Sequence, residues 1–148
     1  MLRLPAFTFH QPETIEEAVA LLATDPANTR VVAGGTDLFP NMKRRHQGAE
    51  SVVSLRGIDA LHGITESKDG SVVIGATTTL DAITRDEQIQ QKYPSLVTAV
   101  ASISSPVLRN AGTIGGNLCL DTRCTYYNQN EEWRRSIDYC MKEQGETC

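Results

Sequence analysis

Apolar residues recur along this chain at two spacings, every second position in short runs and every third or fourth in longer ones, and the changes of period mark its elements. Phe7 and Phe9 lie in a short extended segment that ends at Pro12, after which Thr14 and Glu17 form the Thr-x-x-Glu signature of a helix start. The helix it predicts carries Ile15, Ala18, Val19 and Leu22 on a packing face and ends at Asp25-Pro26. Arg30 to Ala33 reads as a buried strand, followed by a helix capped by Thr36 or Asp37 that carries Leu38, Phe39 and Met42 and tolerates Pro40 within its first turn. The basic run Lys43-Arg44-Arg45-His46 is the solvated end of that helix, where positive charge suits the macrodipole. Ser51 to Leu55 is the next strand, its Val52 and Val53 too contiguous to reveal which face is buried. Leu61 to Glu66 and Ser71 to Gly75 flank Ser67-Lys68-Asp69-Gly70, a hairpin turn signal. A helix over Leu80 to Thr84 follows, and Tyr93-Pro94 opens another whose Leu96, Val97, Val100 and Ala101 form an apolar stripe closed by Ser104-Ser105-Pro106.

Two stretches break this pattern with glycine. The first is Ala33-Gly34-Gly35-Thr36-Asp37-Leu38; the second runs Asn110-Ala-Gly-Thr-Ile-Gly-Gly-Asn-Leu-Cys through Cys124. Gly112, Gly115 and Gly116 lack a Cβ, so the backbone there can take positive φ and let an anionic group come within hydrogen-bonding distance of its N–H donors, and phosphate is the obvious candidate. Two such turns could grip one pyrophosphate. Double glycines also serve tight turns with no ligand, so the turns alone are weak evidence. Gly75-Ala76-Thr77-Thr78-Thr79 puts hydroxyls after a strand, either as a helix cap or as another wall of a cofactor pocket.

Composition narrows the classes. The chain has 148 residues, enough to bury about two thirds of its unfolded surface. Fourteen Lys and Arg against 18 Asp and Glu give a net charge of -4, with no basic stripe, which argues against nucleic acid. No stretch is long and apolar enough for a membrane span or secretory signal, so a cytoplasmic protein is expected. His10, His46 and His62 sit apart, and no Ser-His-Asp or paired-carboxylate arrangement exists, so no catalytic residue is expected.

The joint pattern of Pro12-x-Thr14-x-x-Glu17-Ala18, Ala33 to Leu38, Ile74-Gly75-Ala76 and Arg109-Asn110-x-x-Thr113-Ile114-Gly115-Gly116-Asn117 resembles the flavin-binding subunit of the molybdenum hydroxylases, which include xanthine and carbon monoxide dehydrogenases. The resemblance runs from Phe9 to about Leu120. It implies an α+β, two-lobed FAD-binding fold of the PCMH/vanillyl-alcohol-oxidase type, with one lobe over residues 1–55 and a second over 56–120. It assigns the FAD pyrophosphate and ribose to Ala33, Gly34, Gly35, Thr36, Asp37 and Leu38 and to Thr113, Ile114, Gly115, Gly116 and Asn117, with Thr77 as a pocket residue. Asp37, as a carboxylate, is expected to point to its own helix or to a ribose hydroxyl and away from phosphate. Relatives continue with a further lobe, so the 148 residues read as a C-terminally incomplete fragment, inactive alone.

All four cysteines, Cys119, Cys124, Cys140 and Cys148, lie in the last thirty residues, spaced Cys-x4-Cys-x15-Cys-x7-Cys. In a reducing compartment they are metal or cluster ligands more readily than disulfides. Thiolate-only sites suit zinc or an iron–sulfur cluster; zinc is the broader default but usually arrives in Cys-x2-Cys pairs, which are absent. Tyr126, Tyr127 and Trp133 pack the segment or shield its metal. The tail from Asp121 to Cys148 is similar to an insertion in the flavin subunit of 4-hydroxybenzoyl-CoA reductases, which binds a 4Fe-4S cluster. That resemblance makes Cys124, Cys140 and Cys148 three ligands, puts a fourth shortly beyond residue 148, and leaves Cys119 a small buried residue. It further implies an oxidoreductase subunit that relays electrons from ferredoxin through 4Fe-4S and FAD to 2Fe-2S centres on a small subunit. A molybdenum cofactor of the molybdopterin cytosine dinucleotide type on a large subunit would then dehydroxylate 4-hydroxybenzoyl-CoA to benzoyl-CoA, in anaerobic aromatic degradation. Two alternatives stay open: the FAD subunit of another molybdenum hydroxylase, and a non-catalytic zinc-stapled interaction module.

Overall fold

A computed structural model describes residues 3–121 and 123–148. Its first sheet has three parallel strands, β1 (Thr8–His10), β2 (Thr29–Val32) and β3 (Ser51–Ser54), in the order β1-β3-β2, with Phe9 opposite Val52 and Val31 opposite Val53. Parallel neighbours require crossover connections. Helices α1 (Ile15–Thr24) and α2 (Leu38–Lys43) supply them. The contiguity of Val52 and Val53 has a simple cause: β3 is central and covered on both sides, and successive residues face opposite ways. Val52 packs with Val32, Leu38 and Met42 under α2, whereas Val53 packs with Ala18 of α1 and with Ile58.

The face that α1 buries differs from the one its spacing suggested. Thr14 caps it as expected, its hydroxyl accepting from Glu17 N at 3.2 Å, and Asp25 ends it. Ala18 is buried and Leu21 packs beside it, while Ile15 and Val19 are exposed. Alanine at the contact lets the helix lie close to β3, and the bulkier stripe then turns away from the sheet.

The second half couples an antiparallel hairpin to a group of helices. The hairpin is β4 (Ile64–Glu66) with β5 (Val72–Ile74), preceded by a 3-10 turn over Asp59–Leu61 and joined through Gly70 in the left-handed conformation. Against it pack α3 (Leu80–Arg85), α4 (Glu87–Lys92) and α5 (Pro94–Ala101) around Leu80, Ile83, Ile89 and Val100. Leu96 and Val97 join this core as expected, but Ala101 is exposed. Helix α4 and the four-residue α6 (Pro106–Arg109) have no counterpart in the periodic pattern; each is too short to show a stripe. Their starts are set by caps, Asp86 accepting from Ile89 N at 2.9 Å and Ser105 from Leu108 N at 3.4 Å. Helix α7 (Ile114–Leu118) and the tail with α8 (Glu131–Ser136) complete the described residues. No helix among them is long and apolar enough to cross a membrane.

Candidate functional site

The first glycine turn follows β2 directly. Beyond Val32 the ladder to β3 stops, and α2 begins only at Leu38. Between them the N–H groups of Gly34, Gly35, Thr36 and Asp37 donate to no backbone or side-chain acceptor among the described residues. Four consecutive uncommitted donors are costly unless water or a ligand meets them. Gly35 has φ of +72°, a left-handed conformation that glycine alone adopts at little cost. Thr36 is exposed and its hydroxyl is also unpartnered, whereas the Leu38 side chain is buried in the core, leaving only its backbone for the turn. Asp37 stands at the N-cap position of α2 but makes no cap bond. Its Oδ1 instead accepts from Asn41 Nδ2 at 3.1 Å and from Arg123. The carboxylate therefore does turn toward its own helix.

The second glycine segment meets the first. A Cβ on Gly34 would lie 1.9 Å from the Ala111 carbonyl oxygen, and one on Gly112 would lie 3.6 Å from Thr36 Oγ1. The segment from Ala76 to Thr79 closes the third side, since Leu80 N donates to Gly112 O at 2.9 Å and Thr79 forms a bridge with Thr113. Three stretches far apart in the chain thus converge on one place.

Their amides are not equivalent, however. Ile114 N donates to Thr78 O at 3.0 Å, Gly115 N to Ala76 O at 2.9 Å, Asn117 N to Thr113 O at 3.0 Å, and Gly116 N to the capping hydroxyl of Thr113 at 3.3 Å. The expected free donors at 114–117 are consumed, two by docking on the segment from Ala76 to Thr78 and two within α7 and its cap. Nor do Gly112, Gly115 and Gly116 take positive φ, which among glycines occurs at Gly35, Gly63 and Gly70. Gly115 serves close approach instead: a Cβ there would lie 2.7 Å from Ala76 O. Thr77 is likewise structural, 3% exposed, with its hydroxyl donating to Leu61 O at 2.7 Å. Ile114 packs into the second core.

In the tail, Cys124 is half-buried, and the backbone N–H groups of Tyr127 and, less strongly, Tyr126 beside its thiol hold its pKa below the usual thiol value. Cys140 is half-buried and follows Asp138 and Tyr139, both left-handed with φ of +58°; Cys148 is exposed. Cys119, expected to be buried, is exposed at the C-cap of α7, because that short helix ends at the surface. Among the described residues no three His, Cys, Asp or Glu side chains come together as a metal site. Tyr126 and Trp133 pack 6.0 Å apart, and Arg134 bridges Glu131 and Glu143 at 3.0 and 2.8 Å. A cavity of about 70 Å³ between the end of α2 and this tail is lined by Asn41, His46, Arg123 and Tyr127, room for water and not for a nucleotide. His62 Nε2–H donates to Arg56 O at 2.9 Å.

Residues 5–128 match the family described as the FAD binding domain in molybdopterin dehydrogenase. The chain is 35% identical over 112 residues to the xanthine dehydrogenase FAD-binding subunit of Escherichia coli O157:H7, covering 76% of this chain and 38% of that subunit. It is 38% identical over 114 residues to the carbon monoxide dehydrogenase medium chain of Hydrogenophaga pseudoflava, covering 77% and 39%. Of solved structures, quinoline 2-oxidoreductase from Pseudomonas putida 86 aligns with a TM-score of 0.73 at 32% identity, over 78% of this chain and 40% of that one. The chain spans about two fifths of the length of these relatives.

Proposed function

Because this chain belongs to the family of FAD binding domains in molybdopterin dehydrogenases, we propose that it is the flavin and iron–sulfur electron-transfer part of a molybdenum-containing 4-hydroxybenzoyl-CoA reductase. The observation that carries the flavin half is the run of four unpartnered N–H groups at Gly34 to Asp37, set beside an open hydroxyl on Thr36. These donors suit a diphosphate, and Ala33 and Leu38 frame them. Thr113 to Asn117 and Thr77 act as the wall that holds the turn in place, the backbone N–H groups of Ile114 to Asn117 and the Thr77 hydroxyl being already bonded. Bound FAD supplies one- and two-electron exchange, which no side chain here provides. Residues 1–55 and 56–120 form the two halves around this site.

For the tail, the proposal is that residues 121–148 begin a 4Fe-4S insertion with Cys124, Cys140 and Cys148 among its ligands. What supports it is the resemblance of the cysteine spacing, together with the Tyr127 and Tyr126 N–H groups that favour the Cys124 thiolate, the form in which cysteine binds a cluster. Ferredoxin as donor, a 2Fe-2S small subunit and a molybdenum-binding large subunit complete the reading. Full-length protein purified anaerobically with its partners is expected to contain FAD, iron and acid-labile sulfide, and to reduce 4-hydroxybenzoyl-CoA. Zinc without labile sulfide would end the cluster half. Oxidation of a heterocycle or aldehyde, with 4-hydroxybenzoyl-CoA untouched, would replace the reading with another molybdenum hydroxylase.

A further inference from the structure

Asp37 is the sole acidic residue between Ala33 and Gly48, and it closes the run of free N–H groups. An unneutralised carboxylate there opposes any diphosphate placed on the turn. Its countercharge comes from the tail: Arg123 forms an ion pair with Asp37 across 86 residues of sequence. The contact is part of a larger docking, because Tyr127 and Gln129 face Asn41, His46 and Gln47 across the small cavity at the end of α2. Asn41 holds the same carboxylate oxygen from the helix side.

We propose that Arg123 is a positioning residue for the flavin site, neutralising Asp37 so that diphosphate affinity depends on the tail from Arg123 to Gln129 being docked against α2. The inference rests on the flavin reading above. By reciprocity, the bound diphosphate tightens the docking of the tail. Loading of the flavin site and order in the cysteine-bearing segment are thereby linked. Both side chains are part-exposed, 38% and 42%, so the link weakens with salt.

The test is titration of full-length protein with FAD, followed by flavin fluorescence at low and high ionic strength. Arg123→Gln is expected to weaken FAD about three- to tenfold at low salt, with the difference shrinking at high salt. Arg123→Lys should retain most of the affinity, and Arg123→Gln combined with Asp37→Asn should bind like Asp37→Asn alone. FAD should also slow proteolysis within residues 123–129 in the parent protein and not in Arg123→Gln. Equal affinity of the parent and Arg123→Gln, or a double variant as weak as Arg123→Gln, overturns this proposal and leaves the flavin reading standing. Failure of the parent protein itself to bind FAD overturns the flavin reading and this proposal with it.

Discussion

A methyl group on Gly34 would sit 1.9 Å from the Ala111 carbonyl oxygen and 2.6 Å from its carbon, backbone atoms that no rotamer change can move. Gly34→Ala is expected to lose about 1–3 kcal/mol of stability through overpacking and to lose FAD with it. Gly48→Ala, with nothing within 4 Å of its Cβ, should leave both unchanged; thermal denaturation and flavin content check the pair. Gly35 is irreplaceable for a different reason, combining a left-handed backbone with a Phe39 ring atom 2.6 Å from any added Cβ. The sequence shows that both are glycines and cannot show which one needs space and which needs φ. Cys124 carries a second prediction at this scale. Its folded-state pKa is depressed by the N–H groups of Tyr127 and Tyr126, so in cluster-free protein it should alkylate with a pH midpoint below the ordinary cysteine value of about 8.5. The sign follows from the depression: the contribution to stability is present above the unfolded-state pKa and is lost as pH falls through the folded-state value. Labelling with iodoacetamide across pH, read by mass spectrometry, measures it.

Among the elements, those defined by local chemistry were legible in advance. Thr14 and Glu17 marked the start of α1, the Asp69-Gly70 pair marked the hairpin, and Tyr93-Pro94 marked α5. The buried face of α1 was not, because Ala18 belongs to two stripes of the same period, and contact with β3 selects the one with Leu21 over the one with Ile15 and Val19. Helix α7 was anticipated as a turn of free donors and is instead a capped helix docked by its own N-terminal amides. Thr113→Ala removes that cap and is expected to cost about 1 kcal/mol, seen as a lower urea midpoint. Because the cap also holds the wall behind Gly34, the variant should bind FAD more weakly than an exposed control such as Thr98→Ala.

For the whole molecule, the three stretches converge where Gly34, Gly112 and the segment from Ala76 to Thr79 meet, so on the proposed reading a diphosphate seated there adds contacts that exist only in the folded chain. A ligand bound only by the folded state stabilises by about 2.7 kcal/mol at a hundredfold excess over its Kd. FAD should therefore raise Tm in a concentration-dependent way, and riboflavin, which lacks the diphosphate, should not; differential scanning fluorimetry separates them. The chain's own order of residues determined the strands, the longer helices, the start of α1, the two glycine stretches and the clustering of cysteines, since each of these depends on neighbours within a few positions. Which amides stay free at Gly34 to Asp37 and which are spent at Ile114 to Asn117 was decided by the tertiary structure alone. So was the pairing of Arg123 with Asp37. Those outcomes depend on which distant backbone groups come within hydrogen-bonding or van der Waals range, and periodicity and turn chemistry carry no information about such distances.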